Sequence, residues 1–184
     1  MEKYAVIFPG MGYTKDRPLL YYSGKLAVSH GYRLVHIDFA GLEWSKEKLK
    51  DPVFMRSTLD TCLDITERTL VNTGIPAGSE LTFISKSIGT VAATAYALKK
   101  NLKVKQICFS PLTMIEDYIR PECGTLFYGD KDPFADHLII ERIAKEKNLD
   151  TYRISGGNHS LETGEIHKDI TNLQDMIHRV EKLL

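Results

Sequence analysis

The sequence predicts an α/β fold, a parallel sheet covered by helices on both faces. Two observations carry this. Short apolar runs of strand length alternate with longer segments of helical periodicity from one end of the chain to the other. Such alternation means right-handed βαβ crossovers, which put helices on both sides of a parallel sheet. The segments between them are short, with no low-complexity tract, internal repeat or linker, so 184 residues form one domain, 1–184, with a substantial core.

In chain order, Tyr4 to Phe8 reads as the first strand and stops at Pro9-Gly10. Asp16 and Pro18 signal a helix start and Gly31 its stop, and Arg33 to Asp38 forms the second strand. Asp51-Pro52 opens the next helix. Leu59, Cys62, Leu63, Thr66 and Leu70 give it one apolar stripe, and Gly74 ends it. Leu81 to Ile84 is the third strand, followed by a sharp corner and an Ala-rich helix over Ile88–Lys99. Val104 to Phe109, Thr125 to Tyr128 and Thr151 to Ile154 are the remaining strands, with a helix near Ala135–Glu146 between the last two. The final helix carries Ile166, Ile170, Leu173, Ile177 and Val180 on one face.

Composition excludes several classes. Lys+Arg and Asp+Glu both number 24, so no global charge points to nucleic acid. The Lys99–Lys105 basic stretch is a solvated turn at the edge opposite the predicted site. Cys62, Cys108 and Cys123 fit no zinc spacing, and the first two read as buried reduced thiols. The N-terminus runs straight into a strand without a signal-peptide pattern, and no apolar run is long enough to span a bilayer. A cytoplasmic protein without membrane partners is the default expectation.

The corner at Phe83-Ile84-Ser85-Lys86-Ser87-Ile88-Gly89-Thr90 carries the chemistry. A serine hydroxyl becomes a nucleophile when something exposes and deprotonates it. A tight strand-to-helix corner exposes it and aims helix-start N–H groups at it. Such corners need small residues two positions either side. Here Ser85 and Gly89 stand there, a weaker match than two glycines, and an ordinary strand–helix junction with an N-cap serine fits this segment equally well. Two later segments change that balance. Gly129-Asp130-Lys131-Asp132 follows the fifth strand with two carboxylates, and Gly156-Gly157-Asn158-His159 follows the sixth with a histidine. All three lie just past carboxyl ends of predicted strands, where open parallel sheets place their sites.

With Phe8-Pro9-Gly10-Met11-Gly12, these segments resemble the α/β-hydrolase superfamily, in particular its small cap-less bacterial members, over nearly the whole chain. The order Ser, Asp, His is that of the superfamily. There are two departures: Ser85 replaces the first elbow glycine, and Pro9 stands where many members have a histidine. The resemblance implies a minimal, doubly wound three-layer sandwich whose six strands lie in the order 2-1-3-4-5-6. It also implies no cap domain, since only Ser110–Cys123 separates the fourth strand from the fifth.

The roles that follow are Ser87 as nucleophile, His159 as base and Asp132 as the acid partner, chosen over Asp130 by the family spacing Gly-x-x-Asp. Asp130 is read as a turn residue bonding its own backbone. The oxyanion donors are the N–H groups of Ile88 and, by resemblance, Met11 in the Gly10-Met11-Gly12 loop, which otherwise reads as a plain turn and lacks a phosphate-loop pattern. Gly10, Trp44, Leu112 and Met114 are pocket candidates, with packing against the sheet edge an equal alternative for Trp44. Lys86 is given no catalytic role. His30, His36, His137, His167 and His178 lie on predicted strands or helices. The expected activity is that of a serine hydrolase on a small-molecule ester or thioester, without cofactor or metal. The alternatives are a non-catalytic interaction protein of the same fold and a small peptidase or acyltransferase.

Overall fold

The computed structural model describes every residue except Trp44, Lys46, Glu47, Leu49 and Lys50. Six strands, β1 (Lys3–Phe8), β2 (Arg33–His36), β3 (Glu80–Lys86), β4 (Lys105–Phe109), β5 (Gly124–Gly129) and β6 (Asp150–Ile154), form one sheet in the order β2-β1-β3-β4-β5-β6. Every neighbouring pair is parallel. Among the described residues there are five α-helices: α1 (Pro18–Ser29), α2 (Pro52–Thr73), α3 (Ile88–Lys99) and α4 (His137–Glu146) lie in crossovers, and α5 (Ile166–Leu183) follows the last strand. The fold class and strand order are those expected. Residues 110–123, between β4 and β5, carry a single 3-10 turn, Thr113–Asp117.

Alternation along the strands assigns the helices to faces. Val6, Phe8 and Phe83 point to α2 and α3, and Cys108 and Leu126 continue that face under α4. Ala5, Ile7, Ile84, Ile107, Phe109 and Phe127 point the other way, to α1 and α5. α3 is buried from Ile88 through Ala97, and its small residues let it lie on the centre of the sheet beneath α2.

Helix ends follow local chemistry. The Asp51 carboxylate accepts the Val53 N–H at 2.9 Å beside Pro52, and Gly74 closes α2 at φ 64°. Asp136 caps α4 through the Leu138 N–H at 2.9 Å. The α2 stripe is buried at Leu59, Cys62, Thr66 and Leu70, and the Thr66 hydroxyl is satisfied by the Cys62 carbonyl at 2.7 Å. Burial pushes the Cys62 and Cys108 thiols up to about 12, as expected of inert core cysteines.

Several details differ from expectation. β2 ends at His36, although the Ile37 N–H still reaches the Ile7 carbonyl at 2.9 Å. β3 runs on through Ser85 and Lys86, because both pair with β4 and stay buried despite being polar. In α5, Ile166 and Ile170 face solvent, and the buried contacts come from Leu173, Met176 and Val180. Among the described residues, no helix is long and apolar enough to cross a membrane.

Gly89 fixes how closely α3 approaches the end of β1. A Cβ there would lie 2.5 Å from the Phe8 carbonyl oxygen and would also clash with the carbonyl of Pro9. Gly89→Ala is therefore expected to destabilise the fold by about 3 kcal/mol, because backbone on both sides must shift. Urea unfolding measures it, and an unchanged midpoint would show that this contact does not set the packing of α3.

Candidate active site

Ser87 occupies a single-residue corner between β3 and α3. Its backbone sits at φ 56° and ψ −125°, a conformation that L residues rarely adopt. The surroundings hold it there. Its N–H donates to the Phe109 carbonyl at 3.0 Å, and its own carbonyl accepts from the Thr90 hydroxyl at 2.6 Å and the Thr90 N–H at 2.9 Å. Gly10 lies against it, since a Cβ on Gly10 would stand 3.1 Å from the Ser87 Cβ. Ser85, in place of the usual glycine, is fully buried, and its hydroxyl donates to the Ile107 carbonyl at 3.2 Å. The extra oxygen is thus satisfied within the sheet and leaves the corner undisturbed.

His159 and Asp132 meet Ser87 from two other strand ends. His159 Nε2 lies 2.8 Å from Ser87 Oγ, and Nδ1 lies 2.7 Å from Asp132 Oδ2. The Asp132 side chain is 2 % exposed, and its other oxygen accepts the Phe134 N–H at 2.9 Å. The Phe134 ring meets the imidazole edge-on, with centroids 4.9 Å apart. Burial holds the imidazole below the ordinary histidine range, the Asp132 hydrogen bond opposes that, and the Lys86 ammonium adds to it.

The histidine loop is tied down at several points. Gly129 lets it cross the end of β5, where any side chain would strike the Gly157 carbonyl. Asn158 Oδ1 accepts the N–H groups of Ser160 and Glu162 at 2.7 and 3.2 Å. Asp130 accepts the Gly156 N–H at 2.7 Å and pairs with Arg153 at 2.8 Å, an ion pair that holds its carboxyl below the usual range. Asp130 therefore clamps this loop instead of bonding its own turn, which corrects the expectation drawn from sequence.

The loop after β1 is a fixed turn. Gly10 and Tyr13 exchange N–H···O bonds of 3.0 and 3.3 Å, with Gly12 at φ 81°. Among the described residues, neither the Met11 nor the Ile88 N–H donates to a backbone carbonyl. Met11, Met114 and Phe134 are partly buried against the α2–α3 core, and Leu112 is part of it. Trp44 lies outside the described residues. A groove of about 1130 Å³ near Leu81, Leu102, Tyr118 and Arg120 opens at the amino ends of the strands, away from Ser87. Among the described residues, no group of three metal-ligating side chains gathers anywhere.

Lys86 was missed. It is 1 % exposed, its Nζ donates to the His159 carbonyl at 2.5 Å, and it stands 5.0 Å from the centre of the Tyr13 ring. The available signal was parity: Lys86 follows Ile84 by two in a strand covered on both faces, so its side chain had to point into protein.

Comparison with solved structures bears on the fold. A Xanthomonas campestris protein assigned to the alpha/beta superfamily of hydrolases aligns over 99% of this chain and 98% of its own, with a TM-score of 0.70 at 14% identity. The chain has the α/β-hydrolase fold. A second Xanthomonas campestris protein, an α/β serine hydrolase without lid, aligns over 98% of this chain and 81% of its own, with a TM-score of 0.69 at 14% identity. Est1E from Butyrivibrio proteoclasticus, solved with ferulic acid bound, covers 97% of this chain and 89% of its own, at TM-score 0.66 and 13% identity. No protein-family model and no curated protein matches the sequence.

The backbone at Ser87 makes its own prediction. Glycine adopts a positive φ without a Cβ penalty, so Ser87→Gly is expected to be about 1 kcal/mol more stable than Ser87→Ala. Denaturant unfolding of the two variants measures the difference, and equal stability would mean that the corner stores no strain.

Proposed function

We propose that the chain is a serine hydrolase that cleaves a small carboxylic ester or thioester through an acyl-enzyme. The observation that carries this is the Ser87–His159–Asp132 array, with hydrogen bonds of 2.8 and 2.7 Å in one line. A merely structural serine has no use for a buried carboxylate behind its histidine partner.

With the imidazole proton on Nδ1 and donated to Asp132, the Nε2 lone pair accepts the Ser87 proton. Ser87 Oγ then bonds to the substrate carbonyl carbon, and the carbonyl oxygen takes the negative charge. The N–H groups of Ile88, the residue after the serine, and, by the family resemblance, Met11 are the donors assigned to it, and neither donates to a backbone carbonyl among the described residues. The tetrahedral species expels alcohol or thiol, which receives the proton from Nε2. Water attacks the acyl group by the same route and frees the acid and Ser87. Asp132 holds the tautomer and stabilises the imidazolium throughout. Every step is supplied by side chains and backbone, so no metal or cofactor is called for. Fold neighbours that include an α/β serine hydrolase without lid support the assignment.

A fluorophosphonate probe is expected to label Ser87, and Ser87→Ala to abolish both labelling and esterase activity. Asp132→Asn should lower turnover by orders of magnitude, as tautomer loss does in other triads. Asp130→Asn should cost far less, because its carboxylate reaches the loop backbone and not the imidazole. Labelling at another serine, or the reverse ranking of the aspartates, would overturn the assignment.

The acyl pocket is proposed to be shallow, walled by Gly10, Leu112 and Met114 without a cap domain. Enclosed apolar surface gains about 0.8 kcal/mol per CH₂, whereas a chain left in water gains little. Specificity constants for nitrophenyl esters should peak at short acyl chains and plateau or fall beyond a few carbons. A steady rise to long chains would reveal an apolar tunnel.

A further inference from the structure

We propose that Lys86 is a positioning residue for the histidine base: its ammonium group pins the main-chain carbonyl of His159 and sets a positive charge beside the residue that must accept the Ser87 proton. The inference rests on the hydrolase reading of Ser87, His159 and Asp132.

The geometry begins in the strand. Lys86 pairs with Phe109 in register and shares its face with Ile84, so its stem lies in the apolar layer between the sheet and α1 and α5. The head emerges beneath the histidine loop. There the His159 carbonyl accepts two donors, Lys86 Nζ at 2.5 Å and the Ser110 hydroxyl at 2.8 Å, and Ser110 comes from the end of β4. The peptide that carries the imidazole is thus tethered to the two strands that flank the nucleophile corner.

The charge is not needed for packing. Methionine would fill the same volume without the cost of desolvating a cation. Among the described residues, no carboxylate lies within ion-pair distance of Nζ, because every ion pair found involves other groups. Its surroundings are the His159 carbonyl, the Tyr13 ring from the loop after β1, and the more distant carboxylates of Asp132 after β5 and Glu162 in the histidine loop. Burial accordingly pulls the ammonium down to about 7, and those two carboxylates resist it.

What the charge does is seen from His159. A buried carboxylate 2.7 Å from Nδ1 favours the imidazolium, which cannot take a proton from serine. A cation on the other side of the same residue opposes it. The pair lets Asp132 fix the tautomer without trapping the base in its charged form. The sign follows: burial, with Lys86 adding to it, holds the acid limb of activity below the ordinary histidine value of about 6.5. Removal of the charge raises the His159 pKa and moves that limb to higher pH.

Two measurements on the full chain test this. Hydrolysis of nitrophenyl acetate is followed from about pH 5 to 9 for the wild type and Lys86→Met, and the His159 ring is titrated by NMR in both without substrate. The methionine variant is expected to unfold at an equal or higher temperature. Its kcat/KM near pH 6 should fall about tenfold or more, with the acid limb and the ring titration both displaced upward. An unchanged ring titration and acid limb would overturn the proposal, whatever happens to kcat. Should Lys86→Met not fold, Lys86→Gln keeps a donor for the His159 carbonyl but removes the charge. It is expected to shift the titration in the same direction with a smaller loss of turnover. If the wild type neither reacts with a fluorophosphonate nor hydrolyses the ester, the hydrolase reading fails. The ring titration still decides whether Lys86 depresses the imidazole.

Discussion

Residue 87 has to turn the chain from an interior strand of the sheet into a helix buried from Ile88 through Ala97 within one residue, at a backbone conformation that side chains resist. That constraint explains much of the local composition. Gly10 leaves room for the Ser87 Cβ, Gly89 lets α3 press against the end of β1, and Ser85 hides its hydroxyl in the sheet. The local strain is held by bonds from Phe109 and Thr90 to the residue's own N–H and C=O. The serine hydroxyl is left facing outward at the start of a helix whose first N–H donates to no backbone carbonyl among the described residues.

The histidine is placed by a different kind of solution. Its loop contains little secondary structure, and its precision comes from independent anchors. Asp130 and Arg153 hold its beginning, Asn158 folds it on itself, and Lys86 with Ser110 holds the His159 carbonyl. Each anchor comes from the end of a different strand or from the loop itself, so a rigid sheet lends its rigidity to a segment that has none of its own. Geometry of this kind holds the imidazole within hydrogen-bond reach of the Ser87 hydroxyl.

The fold was legible because its signals are local and repeated: six apolar runs, helix caps such as Asp51 and Gly74, and crossovers that admit one handedness. The site was legible for a related reason. Ser87, Asp132 and His159 each follow a strand in the α/β-hydrolase order, and the structure brings the three together. What stayed hidden depends on contacts between distant segments. The clamp made by Asp130 needs Arg153 and Gly156, more than twenty residues away, and nothing in the Gly-Asp pair itself announces it. Lys86 has no catalytic role in the sequence reading, and only the burial of its strand on both faces turns it into a cation beneath the histidine. The apolar face of α5 misled in the opposite direction, since periodicity shows which residues share a face but not which of them meet the core.

The Ser87 corner and the loop after β1 are together proposed to form a preorganised site for a tetrahedral oxyanion. A crystal structure of the protein after reaction with a fluorophosphonate tests this. Phosphorus is expected to be bonded to Ser87 Oγ, with a phosphonyl oxygen about 2.7–3.1 Å from both the Ile88 and Met11 nitrogens. An adduct on another residue, or one whose phosphonyl oxygen turns to solvent with both N–H groups unused, would contradict it.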